Sequence, residues 1–451
     1  MKKDPLVKRK TLANMVFGLL VLFVLCSSNL KAQTWSSFPG GGANDWVYSS
    51  TVYNGDLIVG GKFTAIDGVS ANYIARWDGV SWSPLGSGVN GKVNALAVFK
   101  GNLIVAGEFT EAGGIPVNFI ARWNGTSWDD ELGGVGSTVT SLAVIADTLF
   151  VGGYFVEADN VTVNYIAKRD TAWVAMGGGM GGSQGQVMSL SVFNGELYAA
   201  GFFNSAGGTT ANHIAKWNGA AWSSVGSGIS GIVYTLGEYN NMLIAGGLFL
   251  NAGGMPANHI AAWNGSTWSA LGGGMNGTLY QYVFALTVYN GNLVAGGYFT
   301  ESDGITTNGI AQWNGTAWSE LAGGFFYPGN VYGAHTFCHY GPDLIVGGLF
   351  SSAGASGASH LAIWNSPAAE INEEINALGF SVYPNPVSGV FTIDMDGKSF
   401  VEIANMQGQI LRTIHTTEKL SRIDISDFPS GLYIVKLTAK DEIVRMKILK
   451  E

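Results

Sequence analysis

Cysteine is nearly missing from this 451-residue chain. Only Cys26 and Cys338 are present, and Cys26 sits in an N-terminal apolar stretch that reads as a leader, so no intramolecular disulfide can brace the remainder. Charge is also scarce, at 12% of residues, and it leans acidic. The first 32 residues hold six of the 23 basic and one of the 32 acidic residues, which leaves the rest at a net charge of −14. A nucleic-acid ligand, which needs a basic footprint, is therefore excluded. Beyond the leader no stretch reaches the roughly 18 apolar residues that a spanning helix needs. His-Glu-x-x-His, phosphate-loop and Asp-x-Asp-x-Asp-Gly patterns are all absent, so no cofactor, metal set or catalytic constellation is expected.

Abundant instead are glycine, with 66 residues, and apolar side chains, at 47%. Both are arranged periodically. Phe63, Phe109, Phe155, Phe203, Phe249, Phe299 and Phe350 mark one register, spaced by 46, 46, 48, 46, 50 and 51 residues. Each closes a Gly-Gly-x-Phe-like run that follows a tight turn, and most are followed by Ile-Ala-x-Trp-Asn-Gly and a second Trp, with Arg169 once in place of the first Trp. Asn-Gly tolerates the positive φ that tight hairpins need, so each unit reads as two hairpins. A period of this length with four short strands predicts an all-β fold, a seven-bladed β-propeller over 33–366. The paired glycines are expected to allow close approach between packed sheets. The second Trp of the unit first appears at Trp35 and the first Trp last appears at Trp364, so 33–38 is expected to supply the final strand of the last blade. The GGxF units resemble the kelch and galactose-oxidase-like class and repeat-bearing surface proteins of bacteria and fungi; the resemblance covers 34 to about 366 and implies fold, not activity.

Lys8-Arg9-Lys10, an apolar run from 15 to 26 and the small residue Ala32 read as a secretory signal peptide over 1–32. Lipidation at Cys26 is disfavoured because Leu25 stands where a small residue is needed. At the other end, 367–378 reads as a polar linker. Residues 379–451 change character, with nine acidic and nine basic residues and short strands expected at 390–395, 400–405, 422–425, 432–439 and 444–450. Together these predict a small C-terminal β-sandwich. Pro384 and Pro386 fix an extended approach to it, and Gly408 and Gly431 suit tight turns. The succession Phe380-Ser381-Val382-Tyr383-Pro384-Asn385-Pro386, Gly389, Ile423-Asp424-Ile425-Ser426, Ser430-Gly431-Leu432-Tyr433 and Met446-Lys447-Ile448-Leu449 closely resembles the type A sorting domain of the type IX secretion system. The resemblance implies export across the outer membrane by that machinery, removal of the domain by a sortase-like peptidase, and release or attachment to surface lipopolysaccharide.

Candidate function within the repeat lies where units differ. The position held by Tyr48, Asn94, Thr140, Met188, Tyr234, Phe284 and His335 is the most variable, although its preceding neighbour is Val in six of seven units; such a residue is expected to face a funnel mouth. Loops before the sixth and seventh units are lengthened and aromatic, with Tyr280, Tyr282, Phe325, Phe326, Tyr327 and Tyr332, suited to stacking on sugars. Glu238 and His339 occupy a position that is Val in the other five units, and a buried ionisable group needs a partner or a shifted pKa. His335, Cys338, His339 and Tyr340 supply the residue types of a copper radical site without its spacing, and a polar patch at the channel is expected. His213, His259 and His360 share one repeat position and read as flat strand-end side chains, and Asn72, Asn118, Asn164, Asn212, Asn258 and Asn308 as backbone-bonding turn residues. The acidic loops, among them Asp67, Glu157 and Asp303, read as solvated. These signals predict a secreted or surface-displayed monomer that binds a glycan or a protein without catalysis. A polysaccharide-acting enzyme using Glu238, His335 and His339 is the alternative, and a passive envelope scaffold a third reading.

Overall fold

The computed structural model describes residues 33–365, apart from 183–184, 278–280 and 329–332, and residues 381–450, apart from 384–386, 395–398, 406–409, 417–419, 430 and 440–441. The described residues are all β, with no α-helix among them. The chain divides into two compact units, one spanning Ala32–Pro367 and one containing Ala368–Glu451.

In the larger unit each repeat folds as a four-stranded antiparallel sheet. The first comprises Val47–Tyr53, Asp56–Gly61, Ile74–Trp77 and Trp82–Pro84, in sequence order across the sheet. Seven such sheets occur among the described residues. Six are sequential, and the seventh pairs Gly333–Tyr340, Asp343–Leu349 and Leu361–Trp364 with Trp35–Ser37 from the start of the unit, in the register Trp35↔Trp364. The innermost strand of each sheet packs on that of the next, and the seventh on the first, so the circuit closes. Both faces of every sheet are covered, which is why second strands such as Asp56–Gly61 and Asn102–Gly107 are buried at five consecutive positions instead of alternating.

Tryptophan ties successive sheets together. The indole N–H of Trp128 donates to the Leu85 carbonyl of the preceding sheet at 2.9 Å, and Trp173, Trp222, Trp268, Trp318 and Trp35 repeat the bond to Leu132, Met176, Val225, Leu271 and Leu321. Within a sheet the two tryptophans face each other, as at Trp77 and Trp82 with ring centres 5.3 Å apart. Where Arg169 replaces the first Trp, its guanidinium lies over Trp173 at 5.6 Å, so a cation–π contact takes the place of the ring pair.

The smaller unit contains a three-stranded sheet (Ser381–Tyr383, Val390–Asp394, Leu420–Asp424) and a four-stranded sheet (Ile410–Thr416, Ser399–Asn405, Gly431–Ala439, Glu442–Lys450). Phe391, Ile393, Ile423, Val401, Ile403, Val435, Leu437 and Ile448 from both sheets form one buried core. Tyr433 is buried and donates to the Pro429 carbonyl at 2.6 Å, whereas Tyr383 is exposed. Gly431 does not sit in a tight turn; it opens its strand opposite Lys450 at φ +154°, a value open to glycine. Pro384, Asn385, Pro386 and Gly408 lie outside the described residues, as do the leader 1–32 and the linker 367–378.

Candidate functional site

The inner strands share a defect that builds the site. In every one the ladder register skips a residue between the buried Val and the residue two places on: Val47/Ser49, Val93/Ala95, Val139/Ser141, Val187/Ser189, Val233/Thr235, Val283/Ala285 and Ala334/Thr336. The skipped residue is the variable one, Tyr48, Asn94, Thr140, Met188, Tyr234, Phe284 or His335. A β-bulge frees a residue from the ladder and re-aims its side chain, so seven bulges aim seven side chains at one place. All seven line a single cavity of about 390 Å³ at one end of the circuit.

The glycine pair makes the bulge feasible. A Cβ on the second glycine would stand about 2 Å from the carbonyl oxygen before the bulge: Gly107 against Lys92, Gly153 against Thr138, Gly297 against Tyr282. The first glycine instead meets the next sheet, as Gly152 does at Val187, and Ala106 and Ala200 occupy the same position in two units. Close approach between sheets thus accounts for the first glycine only. The second is required inside its own sheet.

The cavity wall has two arcs. One is aromatic: His335 stacks on Phe284 (4.6 Å between centres, planes 13° apart) and meets Tyr48, Trp46 and Tyr298 at 5.3, 5.6 and 5.4 Å. Tyr282 stacks on Phe284 at 5.5 Å, and Tyr234 lies 5.0 Å from it. The other arc is polar, with Asn94, Thr138, Thr140, Tyr154 and the Lys92–Glu108 ion pair at 2.8 Å. Burial, with a smaller push from Lys92, drives the His335 imidazole down to about 3, and its Nε2 lies 3.1 Å from the Tyr298 hydroxyl. Burial likewise raises the phenols of Tyr48, Tyr298, Tyr154 and Tyr234 above their ordinary value.

Other expected residues go elsewhere. Glu238 and His339 are exposed near the far ends of their inner strands; four residues of strand place His339 about 13 Å from His335, so the two do not converge. His339 Nε2 is 3.3 Å from the Thr287 hydroxyl. The buried Cys338 thiol is pushed up to about 11, and no metal-holding group of His, Cys, Asp or Glu occurs among the described residues. Tyr327 packs near His360 at 6.1 Å, and Phe326 is exposed on a short strand paired with Ser352–Ala353; neither lines the cavity. Tyr280 and Tyr332 lie outside the described residues. His213, His259 and His360 adopt positive φ (63°, 72° and 58°) with backbone N–H groups bonded to Phe203, Phe249 and Phe350, one per sheet. They are strand-end residues. Asn72, Asn164, Asn212, Asn258 and Asn308 donate to loop carbonyls, as turn residues do. The residue the sequence reading missed is Tyr298, the variable member of Gly-Gly-x-Phe. It neighbours the bulge across the hairpin, and its position is also variable, with Lys62, Glu108, Tyr154, Phe202, Leu248 and Leu349 in the other units.

Residues 381–451 match the family described as the secretion system C-terminal sorting domain. The chain is a type IX secretion cargo. It is exported to the cell surface or the extracellular space. A family described as a β-propeller domain of unknown function matches residues 54–77, which span the second and third strands of the first sheet. Ulvan lyase NLR42 of Nonlabens ulvanivorans is 37% identical over 87 residues, covering 18% of this chain and 16% of the lyase. Among solved structures, the extracellular domain of the putative one-component system BT4673 from B. thetaiotaomicron is similar at TM-score 0.51 and 11% identity, over 93% of this chain and 52% of that one. PorZ, a surface component of the type IX system of Porphyromonas gingivalis, gives TM-score 0.42 and 14% identity over 92% and 60%. The cargo thus spans about half of the first of these structures and less than a fifth of the lyase, and at such identities the structural likeness concerns the fold alone.

Proposed function

We propose that the larger unit is a seven-bladed propeller of the kelch and galactose-oxidase-like class, displayed at the cell surface or released as a monomer, and that it binds a glycan at the bulge-lined mouth without transforming it. The C-terminal unit is the sandwich that a sortase-like peptidase removes, 1–32 the cleaved leader and 367–378 the linker. The observation that carries the binding reading is the aromatic arc: stacked rings beside hydroxyl and amide groups form the surface that the two sides of a sugar ring require. The protonation states favour binding over chemistry. An imidazole with its pKa near 3 is a weak general base, and a phenol pushed above its ordinary range is a reluctant acid.

The similarity to ulvan lyase NLR42 favours a second reading, an enzyme acting on polysaccharide. Glycan-array binding of the chain from residue 33, with a depolymerisation assay on every glycan that binds, separates the two. Binding without cleavage, lost on Phe284→Ala, supports the binder; cleavage abolished by His335→Ala supports the enzyme. A folded chain that binds no glycan removes both and leaves a protein ligand or a scaffold role.

A further inference from the structure

We propose that the mouth selects an uncharged glycan and rejects carboxylated or sulfated ones, because the one lysine that lines it is already paired with a carboxylate. The inference rests on the reading of the mouth as a glycan site. Asn94 commits one of its two amide N–H groups to the Val139 carbonyl at 2.9 Å, which leaves the other and the side-chain oxygen for a ligand. Thr140 donates its hydroxyl proton to backbone, on Val187 or Gly152, so its oxygen is left as an acceptor. Tyr154 points its hydroxyl at the Met188 sulfur, 3.6 Å away. Glu108 is a carboxylate and accepts only.

A neutral sugar brings hydroxyl groups that both donate and accept to such a wall. A sulfate or carboxylate brings acceptors and finds one cation, Lys92, already held by Glu108 at 2.8 Å and by the Tyr48 ring at 4.7 Å. Displacing Glu108 would leave that carboxylate unpaired beside the incoming anion. Asp45, nearby on the first sheet, is itself tied to Lys62 at 3.4 Å, and His335, Tyr48, Tyr154, Tyr234 and Tyr298 are uncharged at neutral pH. The long-range field of an acidic chain acts in the same direction.

The test is calorimetry of the chain from residue 33 with matched oligosaccharides, one neutral and one carrying sulfate or uronate on the same backbone. The neutral member is expected to bind at least roughly tenfold more tightly, with affinity unchanged from about 50 to about 500 mM NaCl and from about pH 5 to 8. Glu108→Gln, which unmasks Lys92, is expected to narrow the gap by roughly fivefold, from the order of 1 kcal/mol that an ion pair contributes. Preference for the acidic member, with affinity that falls with salt and is lost in Lys92→Met, would overturn the selectivity and leave the glycan site standing. Binding of neither member by a folded chain would remove the site itself, and the selectivity with it.

Discussion

At the scale of single residues, one position in each repeat is released from the sheet and the rest are held by it. The neighbour of each bulge, Val in six units and Ala334 in the seventh, is fully buried, whereas the bulge residue is half-buried and free to be Tyr, Asn, Thr, Met, Phe or His. Phe284→Ala should therefore weaken glycan binding by about 2 kcal/mol, the scale of an aromatic contact at the centre of an interface, with a smaller effect on the unfolding midpoint; calorimetry and urea titration on one preparation check both. Histidines make a second prediction. Burial lowers the pKa of His213, His259, His335 and His360, so between the ordinary value of 6.5 and the folded value the unfolded chain binds more protons. Stability from these groups is full above pH 6.5 and is lost as pH falls below it. The urea midpoint should drop on acidification, and His360→Asn, which tolerates the left-handed backbone there, should make the drop shallower than in the parent. The variable ring was legible in the sequence because a constant residue and a changing one stood side by side. The bulge that aims it was not legible, since a change in hydrogen-bond register leaves no composition signal, and Tyr298 reaches His335 only once hairpin and ring have both formed.

At the scale of strands and sheets, the paired glycines serve two separate purposes, and substitution should tell them apart. Gly153→Ala places a methyl group against the Thr138 carbonyl at 2.2 Å, an overpacking that should cost about 1–3 kcal/mol. Gly152→Ala meets only the side chains of Val187 and Leu190, at a position where Ala106 and Ala200 already stand, and should cost less; equilibrium unfolding of the two variants decides. The closing strand is three residues long, Trp35–Ser37, and its hold comes mainly from one side chain. Trp35 is buried, contacts Trp364 and Phe325 at 4.8 and 5.3 Å, and donates to Leu321. Trp35→Ala should therefore remove about 3–5 kcal/mol, read as an early loss of tryptophan fluorescence in denaturant. Strand order in the repeats was legible because turns and tryptophans recur at fixed offsets. In the smaller unit Ile410–Thr416 was not: Ile410 and Leu411 are consecutive and exposed, so neither face of that strand shows the alternation that marks a half-buried one.

At the scale of the whole molecule, the two units answer different questions. The C-terminal one is an address. Deleting residues 381–451 should leave the protein in the periplasm, with cell-surface and culture fractions depleted on an immunoblot, while binding by the extracted protein is unaffected. The propeller units repeat the same packing from sheet to sheet, so most of their residues state only how the ring is built, and the ligand is written in the few that are exempt. The joint at Trp35 and Trp364 has a further consequence, in time. Translation advances at about 5–20 residues per second, so the first strand of the ring waits roughly 15–65 s for its partner to be made. Through that interval the earliest segment carries an unclaimed strand, an open edge of the kind that can pair with another copy.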